Sequence, residues 1–447
     1  MNHPATYVYR KLIPNGVEIS LERKTYQITY PLTLWQQFPE FFRQNFADFL
    51  TYALTVHLCL NGHQKLIYNF PHPPIEPFIF ESMMYSFGET VLISQNKLLM
   101  RDLIKDFYNK NLNIEFTGRP RFSRFKNIAR NTKNRVIIPF SFGKDSLLTF
   151  ALSRELGIEP QLVFFQEPKS PYENRQKSKL ADRFAKNFSI DVNFFPVAPG
   201  RLRHNEGNYW GWDLLFTQYT LMLVPYIFGL RARYLFWSHE FDCNDFFANH
   251  EGYKINPVFE QSSRWLLVLN NVARFLGSNV LFASLIEPIN EISTTWILHH
   301  RYPEIAKFQF SCFAEEKDRA NRRWCGRCEK CATIYLFFCA LGIDPKVVSF
   351  KESMFGDEKK KLFVLFDNLE RKDTWRDQQL LAFLLAYKKG IKGELIKEFK
   401  IKYLKEAEAR ERELRSYFFG IHPSDTLTYE LKSHLLKIYQ EELSSLQ

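Results

Sequence analysis

The chain has 447 residues, 45% hydrophobic and 24% charged, a length that favours two or three domains over a single core. Lysine and arginine exceed the acids by 60 − 49 = +11, a basic surface that either attracts nucleotides, nucleic acid or anionic headgroups or is simply solvated. No stretch approaches the ~20 apolar residues of a membrane span, the longest being Tyr219 to Leu230 with Pro225 inside it, so no membrane span is expected.

The opening Asn2, His3 and Pro4 do not read as a secretory signal. Seven cysteines, three of them within seven residues, fit a reducing compartment and a metal site better than a disulfide framework, and the protein is expected to be cytoplasmic. The 44 phenylalanines are an excess that has to be mostly core.

Residues 1–125 read as an α+β N-terminal domain. Alternation in Gly16 to Leu21 and in Tyr26 to Tyr30 predicts strands, and Phe42 to Cys59 predicts a buried helix. Pro71, Pro73, Pro74 and Pro77 mark an irregular connection. A basic tract from Arg119 to Arg135, either a polyanion contact or a solvated linker, leads into the next unit.

That unit opens with an apolar run, Val136 to Phe140, which breaks into the polar turn Ser141-Phe142-Gly143-Lys144-Asp145-Ser146 and then into an apolar helix. This is the grammar of a phosphate loop: a strand delivers the turn, Gly143 permits close backbone approach, and the helix aims its unpaired N–H groups at an anion. The Walker A pattern requires a glycine five positions before the Gly-Lys pair; Ile138 stands there, which excludes it.

From Val136 to about Gly342, candidate strands at Val136 to Phe140, Gln161 to Phe165, Val192 to Val197, Tyr234 to Trp237 and Val280 to Ala283 alternate with helices. The helices are expected at Ser146 to Leu156, Asn174 to Asn187, Trp212 to Phe228 and Gln261 to Phe275. Such alternation predicts an α/β fold, a doubly wound parallel sheet whose ligand sits beyond the carboxyl ends of the strands. Three strand exits then stand out: Ser141 to Ser146, Gln166-Glu167, and Ser238 to Asp245. The last concentrates Ser238, His239, Glu240, Asp242, Cys243, Asn244 and Asp245, an acid, base and nucleophile set that equally suits a capped surface loop. Lys254 is a candidate phosphate or carboxylate contact, and Glu287 or Glu291 a candidate magnesium ligand.

Cys312 is followed, after twelve residues, by Cys325-Gly326-Arg327-Cys328-Glu329-Lys330-Cys331. Three thiolates at two-residue spacing and one upstream make the donor set of a tetrahedral, structural zinc site, with an iron–sulfur cluster the minority alternative. Cys339 reads as core. Pro345 to Gln447 is helical and charged, a candidate dimerisation or docking surface without evident chemistry. The expected division is 1–125, 126–344 with its zinc loop at 312–331, and 345–447.

The turn at Ser141 to Ser146 resembles the S-G-G-x-D-S loop of the PP-loop ATP pyrophosphatase superfamily, with Phe142 in place of the first glycine. Together with the cysteine set it is similar to two groups within that superfamily. These are the 7-cyano-7-deazaguanine synthases and, more closely, the ATP-dependent UDP-N-acetyl-α-D-muramoyl-L-alanyl-L-glutamate epimerases. The latter carry a Trp-Cys-x-x-Cys-x-Lys-Cys element before an apolar helix, as Trp324 to Cys331 does here. The resemblance spans Val136 to Gly342. It implies the adenine nucleotide alpha hydrolase-like strand order 3-2-1-4-5, with adenine near the end of the second strand, and ATP, Mg2+ and structural Zn2+ as cofactors.

The function it implies is adenylation of a substrate carboxylate with release of AMP and pyrophosphate, then epimerisation of the terminal glutamate of a nucleotide-sugar peptide during peptidoglycan precursor synthesis. Ser141, Phe142, Gly143, Lys144, Asp145, Ser146, Gln166 and Glu167 would bind ATP. Lys144, Asp145, His239, Asp242 and Cys243 are the catalytic candidates, and Cys312, Cys325, Cys328 and Cys331 the zinc ligands. An alternative of another kind is a tRNA- or nucleobase-modifying enzyme, with tRNA on the basic surface; a third is a non-catalytic, zinc-stapled nucleotide binder. A homodimer is compatible with each.

Overall fold

The structure is a computed structural model that describes residues 5–60, 65–94, 98–111, 113–120, 132–204, 214–312, 323–367 and 373–447. The middle of the basic tract, 121–131, and the first residues of the helix expected from Trp212 lie outside that set.

The N-terminal sheet contains β1 (Ala5–Ile13), β2 (Gly16–Leu21), β3 (Lys24–Thr29), β4 (Lys65–Tyr68) and β5 (Ile114–Phe116), in the order β3-β2-β1-β4-β5. β1 to β3 form an antiparallel meander, and β4 and β5 add to it in parallel. Helices at Glu40–Thr55, Glu76–Ile93 and Met100–Asn111 complete an α+β unit. Pro77 lies in the first turn of the second of these helices, where its missing N–H would have no partner in any case.

The central sheet is parallel throughout. β6 (Lys133–Pro139), β7 (Glu159–Gln166), β8 (Val192–Pro196), β9 (Ala232–Phe236) and, after the small ribbon β10 (Phe247–Ala248) and β11 (Lys254–Ile255), β12 (Leu281–Ala283) line up as β12-β9-β6-β7-β8. Counted in chain order within this sheet, that is the expected 3-2-1-4-5. β6 is the middle strand, and chain progression reverses on either side of it, so the turn that follows β6 opens at the switch point.

Both faces of this sheet are covered, which is why its strands read as nearly continuous apolar runs. The two-residue alternation of side chains divides them between two cores. Val136, Ile138, Leu162, Phe164, Tyr234 and Phe236 join one with the helices over Lys144–Glu155, Glu329–Leu341 and Thr374–Lys388. Ile137, Val163, Phe165 and Leu235 join the other with the N-terminal unit.

One expectation needs correction. The apolar run through Phe228 is two helices, Leu215–Met222 and Val224–Leu230, rather than one. Pro225 occupies the first turn of the second, because a ring without an N–H cannot continue the hydrogen-bond ladder of the first. No helix among the described residues is long and apolar enough to cross a membrane.

Candidate nucleotide site and metal centre

The turn after β6 closes on itself through its hydroxyls. Ser141 N–H donates to Ser146 Oγ at 3.2 Å, Ser146 Oγ donates to the Gly143 carbonyl at 3.2 Å, and Gly143 N–H donates to Ser141 Oγ at 3.2 Å. Gly143, at φ −70°, caps the helix over Lys144–Glu155. A Cβ on Gly143 would lie 3.1 Å from Ser141 Oγ and 3.6 Å from Ser311 Oγ, so glycine here serves close approach rather than an unusual dihedral.

The unusual dihedral belongs to Phe142, at φ +59°. Left-handed backbone is the conformation glycine adopts without cost, which accounts for a glycine at the matching place of the loop this turn resembles. The ring is fully buried, with its centroid 4.7 Å from that of Phe140 and 5.7 Å from that of Phe184. Core packing thus offsets the strain, and the Phe142 ring anchors the turn in the core.

Behind the turn sits a buried charge cluster. Lys144, 2% exposed, ion-pairs with Asp145, with Glu240 Oε1 at 2.8 Å and with Glu291 Oε1 at 3.2 Å. Burial opposes the charge on this lysine, but its three carboxylate neighbours outweigh burial and raise its pKa. Burial likewise works against the Asp145 charge, and Lys144 overcomes it, so the Asp145 pKa falls. Glu240 goes the other way: burial and the neighbouring acids raise its pKa well above the usual carboxylate range despite Lys144. Glu291 opens the helix Glu291–Arg301, and its Oε1 also lies 3.9 Å from Lys330 Nζ.

The Ser238 to Asp245 loop brings Glu240, Asp242 and Cys243 together, their donor atoms within 4.8 Å of one another. Asp242 Oδ2 accepts from Gln378 Nε2 at 3.1 Å and from the Glu291 N–H at 3.4 Å, while Oδ1 is buried with no hydrogen-bond partner among the described residues. Burial, and then Glu291, push the Asp242 pKa up to about 7. Burial, Asp242 and Glu240 raise the Cys243 thiol well above its usual range. His239 stacks on Trp237 at 5.6 Å, is 4% exposed, and has no hydrogen bond on either ring nitrogen among the described residues. Burial lowers its pKa to about 3, so it is neutral at pH 7 and weakly basic.

The other sequence candidates are distributed around this centre. Gln166 and Glu167, at the carboxyl end of β7, line a cleft of about 410 Å³ with Tyr26, Asn174, Pro196 and Arg201. Glu167 Oε1 is engaged by Arg203 and by Tyr219 Oη at 2.5 Å, while its Oε2 is buried with no hydrogen-bond partner among the described residues. Lys254 is exposed on β11, its Nζ 5.7 Å from the centre of the Phe246 ring. Of the two carboxylates considered for magnesium, Glu287 is taken up by Ser263 Oγ at 2.6 Å, the Asp425 and Thr426 N–H groups at 2.8 and 3.1 Å, and the Thr426 hydroxyl. That corrects the expectation for Glu287, which ties the C-terminal chain to the sheet; Glu291 faces the lysines.

Cys312, Cys325, Cys328 and Cys331 converge, with Sγ–Sγ separations of 3.8 Å (312–328), 3.7 Å (325–331), 3.5 Å (328–331) and 3.6 Å (331–312). A tetrahedron with ~2.3 Å metal–sulfur bonds has edges of about 3.8 Å, whereas a disulfide needs about 2.05 Å, so the set fits a zinc ion bound by four thiolates. Backbone N–H groups support them: Cys325 N–H to Cys312 Sγ at 3.4 Å and Arg327 N–H to Cys325 Sγ at 3.3 Å. Trp324 fixes the loop by donating Nε1–H to the Val348 carbonyl at 2.7 Å. The loop also touches the phosphate turn, since Phe310 N–H donates to the Phe142 carbonyl at 2.8 Å.

Sequence reasoning did not select Lys330, Ser311 or Gln378 as site residues, and it counted Glu240 in the polar loop's acid, base and nucleophile set without singling it out. Lys330 lies inside the cysteine motif, so local context carried a signal for it. Nothing local marked Gln378, which is 136 residues from Asp242.

A parallel sheet in this order, a phosphate-loop turn on its middle strand and a four-cysteine loop against that turn make a PP-loop ATPase-like fold. The combination supports an ATP-binding enzyme of the adenylating type. No family model matches the chain, and no curated protein does.

Proposed function

We propose that the protein uses ATP to adenylate the terminal carboxylate of UDP-MurNAc-L-Ala-L-Glu and inverts the α carbon of that glutamate. The observation that carries the proposal is the grouping of Asp242, Cys243 and Glu240 within 4.8 Å beside the phosphate turn. Three proton-carrying side chains lying together near the turn read as the phosphate site are what support this reading.

The chemistry explains why activation precedes proton transfer. A proton α to a carboxylate is very weakly acidic, because its removal adds negative charge to negative charge. Attack of the carboxylate oxygen on the α phosphorus breaks the α–β linkage, expels pyrophosphate and leaves a mixed anhydride whose acyl group no longer carries the carboxylate charge. The α proton is then removed and one is returned on the opposite face. Water finally attacks the acyl carbon, and AMP departs with the former carboxylate oxygen.

Asp242, with a pKa near 7, is suited to accept the proton, and Cys243, held as a thiol, is suited to return one. The start of the helix at Lys144, whose first N–H groups have no partner within the helix, favours the phosphates. Asp145, Glu240 and Glu291 are the groups that would hold magnesium, whose chemistry when bound is to neutralise the leaving pyrophosphate.

The test is incubation with ATP, magnesium and the UDP-muramoyl dipeptide in D2O, followed by hydrolysis and chiral analysis of the glutamate. The proposal expects D-glutamate bearing deuterium at the α carbon. Glutamate recovered wholly in the L form contradicts it.

A further inference from the structure

Two arginines beside the four-cysteine loop have no acid set against them. Arg323 stands shortly before Cys325, and its Nε and Nη2 are buried with no hydrogen-bond partner among the described residues. Arg183, on the helix over Pro171–Phe188, places its guanidinium over the Phe308 ring, 5.8 Å from the centre. Neither arginine makes an ion pair among the described residues. The charge of Arg183 acts on Arg323, and burial works against that same cation. The charge of Arg323 in turn reaches His299, whose Nε2 lies 2.8 Å from Gln309 Oε1. Gln309 is wholly buried, and its amide Nε2 is a further donor without a partner among the described residues.

Arginine does not shed its proton at neutral pH, so a guanidinium that is partly buried, unpaired and near a second one costs stability that an anion restores. Nε and Nη2 form one edge of the guanidinium, a fork that matches two oxygens of a single oxyanion. Two cations and an amide donor exceed what the two oxygens and single charge of a carboxylate can use. A phosphate, with more acceptor oxygens and nearly two negative charges, matches them. Both cations ride on packed elements: Phe308 meets Phe184 at 5.2 Å between ring centres, and Trp324, next to Arg323, meets Phe310 at 6.4 Å. The cations are thus held in place before any ligand arrives.

We propose that Arg323 and Arg183, with Gln309, form an anion site that takes a phosphate group at the flank of the four-cysteine loop. The site uses no residue of the β6 turn or of the polar loop after β9, and it does not depend on the glutamate chemistry proposed above. Its phosphate comes from one of two sources, a free phosphate ion or the end of a nucleotide's phosphate chain.

The test melts the zinc-loaded full chain over a series of inorganic phosphate concentrations, in wild type, Arg323→Met and Arg183→Gln, and titrates the same three proteins with AMP and with ATP. Wild type is expected to melt higher as phosphate is added, by mass action. Arg323→Met should melt at or above wild type without phosphate, because the uncompensated charge is gone, and should need about tenfold or more phosphate for the same rise. Arg183→Gln should need about threefold or more. Zinc content and AMP affinity stay at wild-type values. ATP affinity that falls along with phosphate affinity identifies the occupant as the end of the nucleotide's phosphate chain; unchanged ATP affinity identifies it as a free phosphate. A lower phosphate-free melting temperature in Arg323→Met shows that a group within the chain already holds Arg323, and it overturns the inference. An equal phosphate response in all three proteins overturns it too.

Discussion

Phe142 shows how a single residue can satisfy a loop and a core at once. Its backbone holds the left-handed conformation at φ +59°, which costs about 1–2 kcal/mol in a non-glycine residue, while its ring is wholly buried. Removing a buried phenylalanine ring costs about 3–5 kcal/mol, which exceeds the relief. Phe142→Gly is therefore expected to destabilise the protein by about 2 kcal/mol, read as a lower midpoint in denaturant. A midpoint equal to or above wild type would show that strain dominates.

Asp242 makes a pH-dependent statement. Its carboxyl is raised to about 7, so the folded chain holds this proton more tightly than the unfolded chain does. The stability it contributes is complete below the ordinary carboxyl range and is lost as pH rises through about 7; Asp242→Asn should flatten that part of the stability curve. The proposed base role has the opposite sign. Solvent exchange of the substrate α proton should rise with pH to a plateau above about 7, and Asp242→Asn should slow it by about 100-fold or more. A pH-independent exchange rate would remove Asp242 from that role.

At the scale of elements, both the metal loop and the C-terminal helices touch the site. Loss of a structural zinc site removes binding energy that is also folding energy. Chelation, or Cys331→Ser, is expected to lower the melting temperature by about 5 °C or more, with one zinc per chain in the untreated protein by metal analysis. Gln378, in the helix over Thr374–Lys388, accepts the Ile292 N–H at 2.8 Å and donates to Asp242 Oδ2 at 3.1 Å. It is a positioning residue. Gln378→Leu should lower kcat about tenfold with KM for ATP little changed, and Gln378→Glu should move the pH profile as well, because it sets a second acid against Asp242.

The same scale shows what was legible in the sequence. The central strands announced themselves because most of their positions are buried and they read as short apolar runs, β6, β7 and β9 each closed by a polar turn. β1 did not, since its outward positions are Tyr7 and Tyr9, half-exposed aromatics that blur the alternation. Glu287 looked like a metal ligand for the reason any acid after a strand does; its engagement by the Thr426 backbone and hydroxyl, 139 residues away, has no local trace. The Gln378 contact is hidden in the same way, because long-range pairing leaves no periodicity.

For the whole molecule, the two cores on either face of the central sheet explain why the C-terminal chain is more than an appendage. Leu380, Phe383, Leu384, Phe399 and Tyr439 belong to the same core as Val136 and Ile138. Truncation after residue 367 would strip the C-terminal helices from that core and expose apolar side chains that they cover, and such a chain is expected to lose its cooperative thermal transition and bind hydrophobic dyes. A cooperative melt from the truncated chain would show that the remaining helices suffice.

The central claim is that ATP is split between its α and β phosphates by transfer of AMP to a carboxylate. The most direct measurement gives the protein ATP and the UDP-muramoyl dipeptide labelled with 18O in its glutamate carboxylates, then follows the nucleotide products by mass. The account predicts AMP carrying one 18O, with pyrophosphate formed in equal amount. ADP and phosphate, or AMP without label, would contradict it.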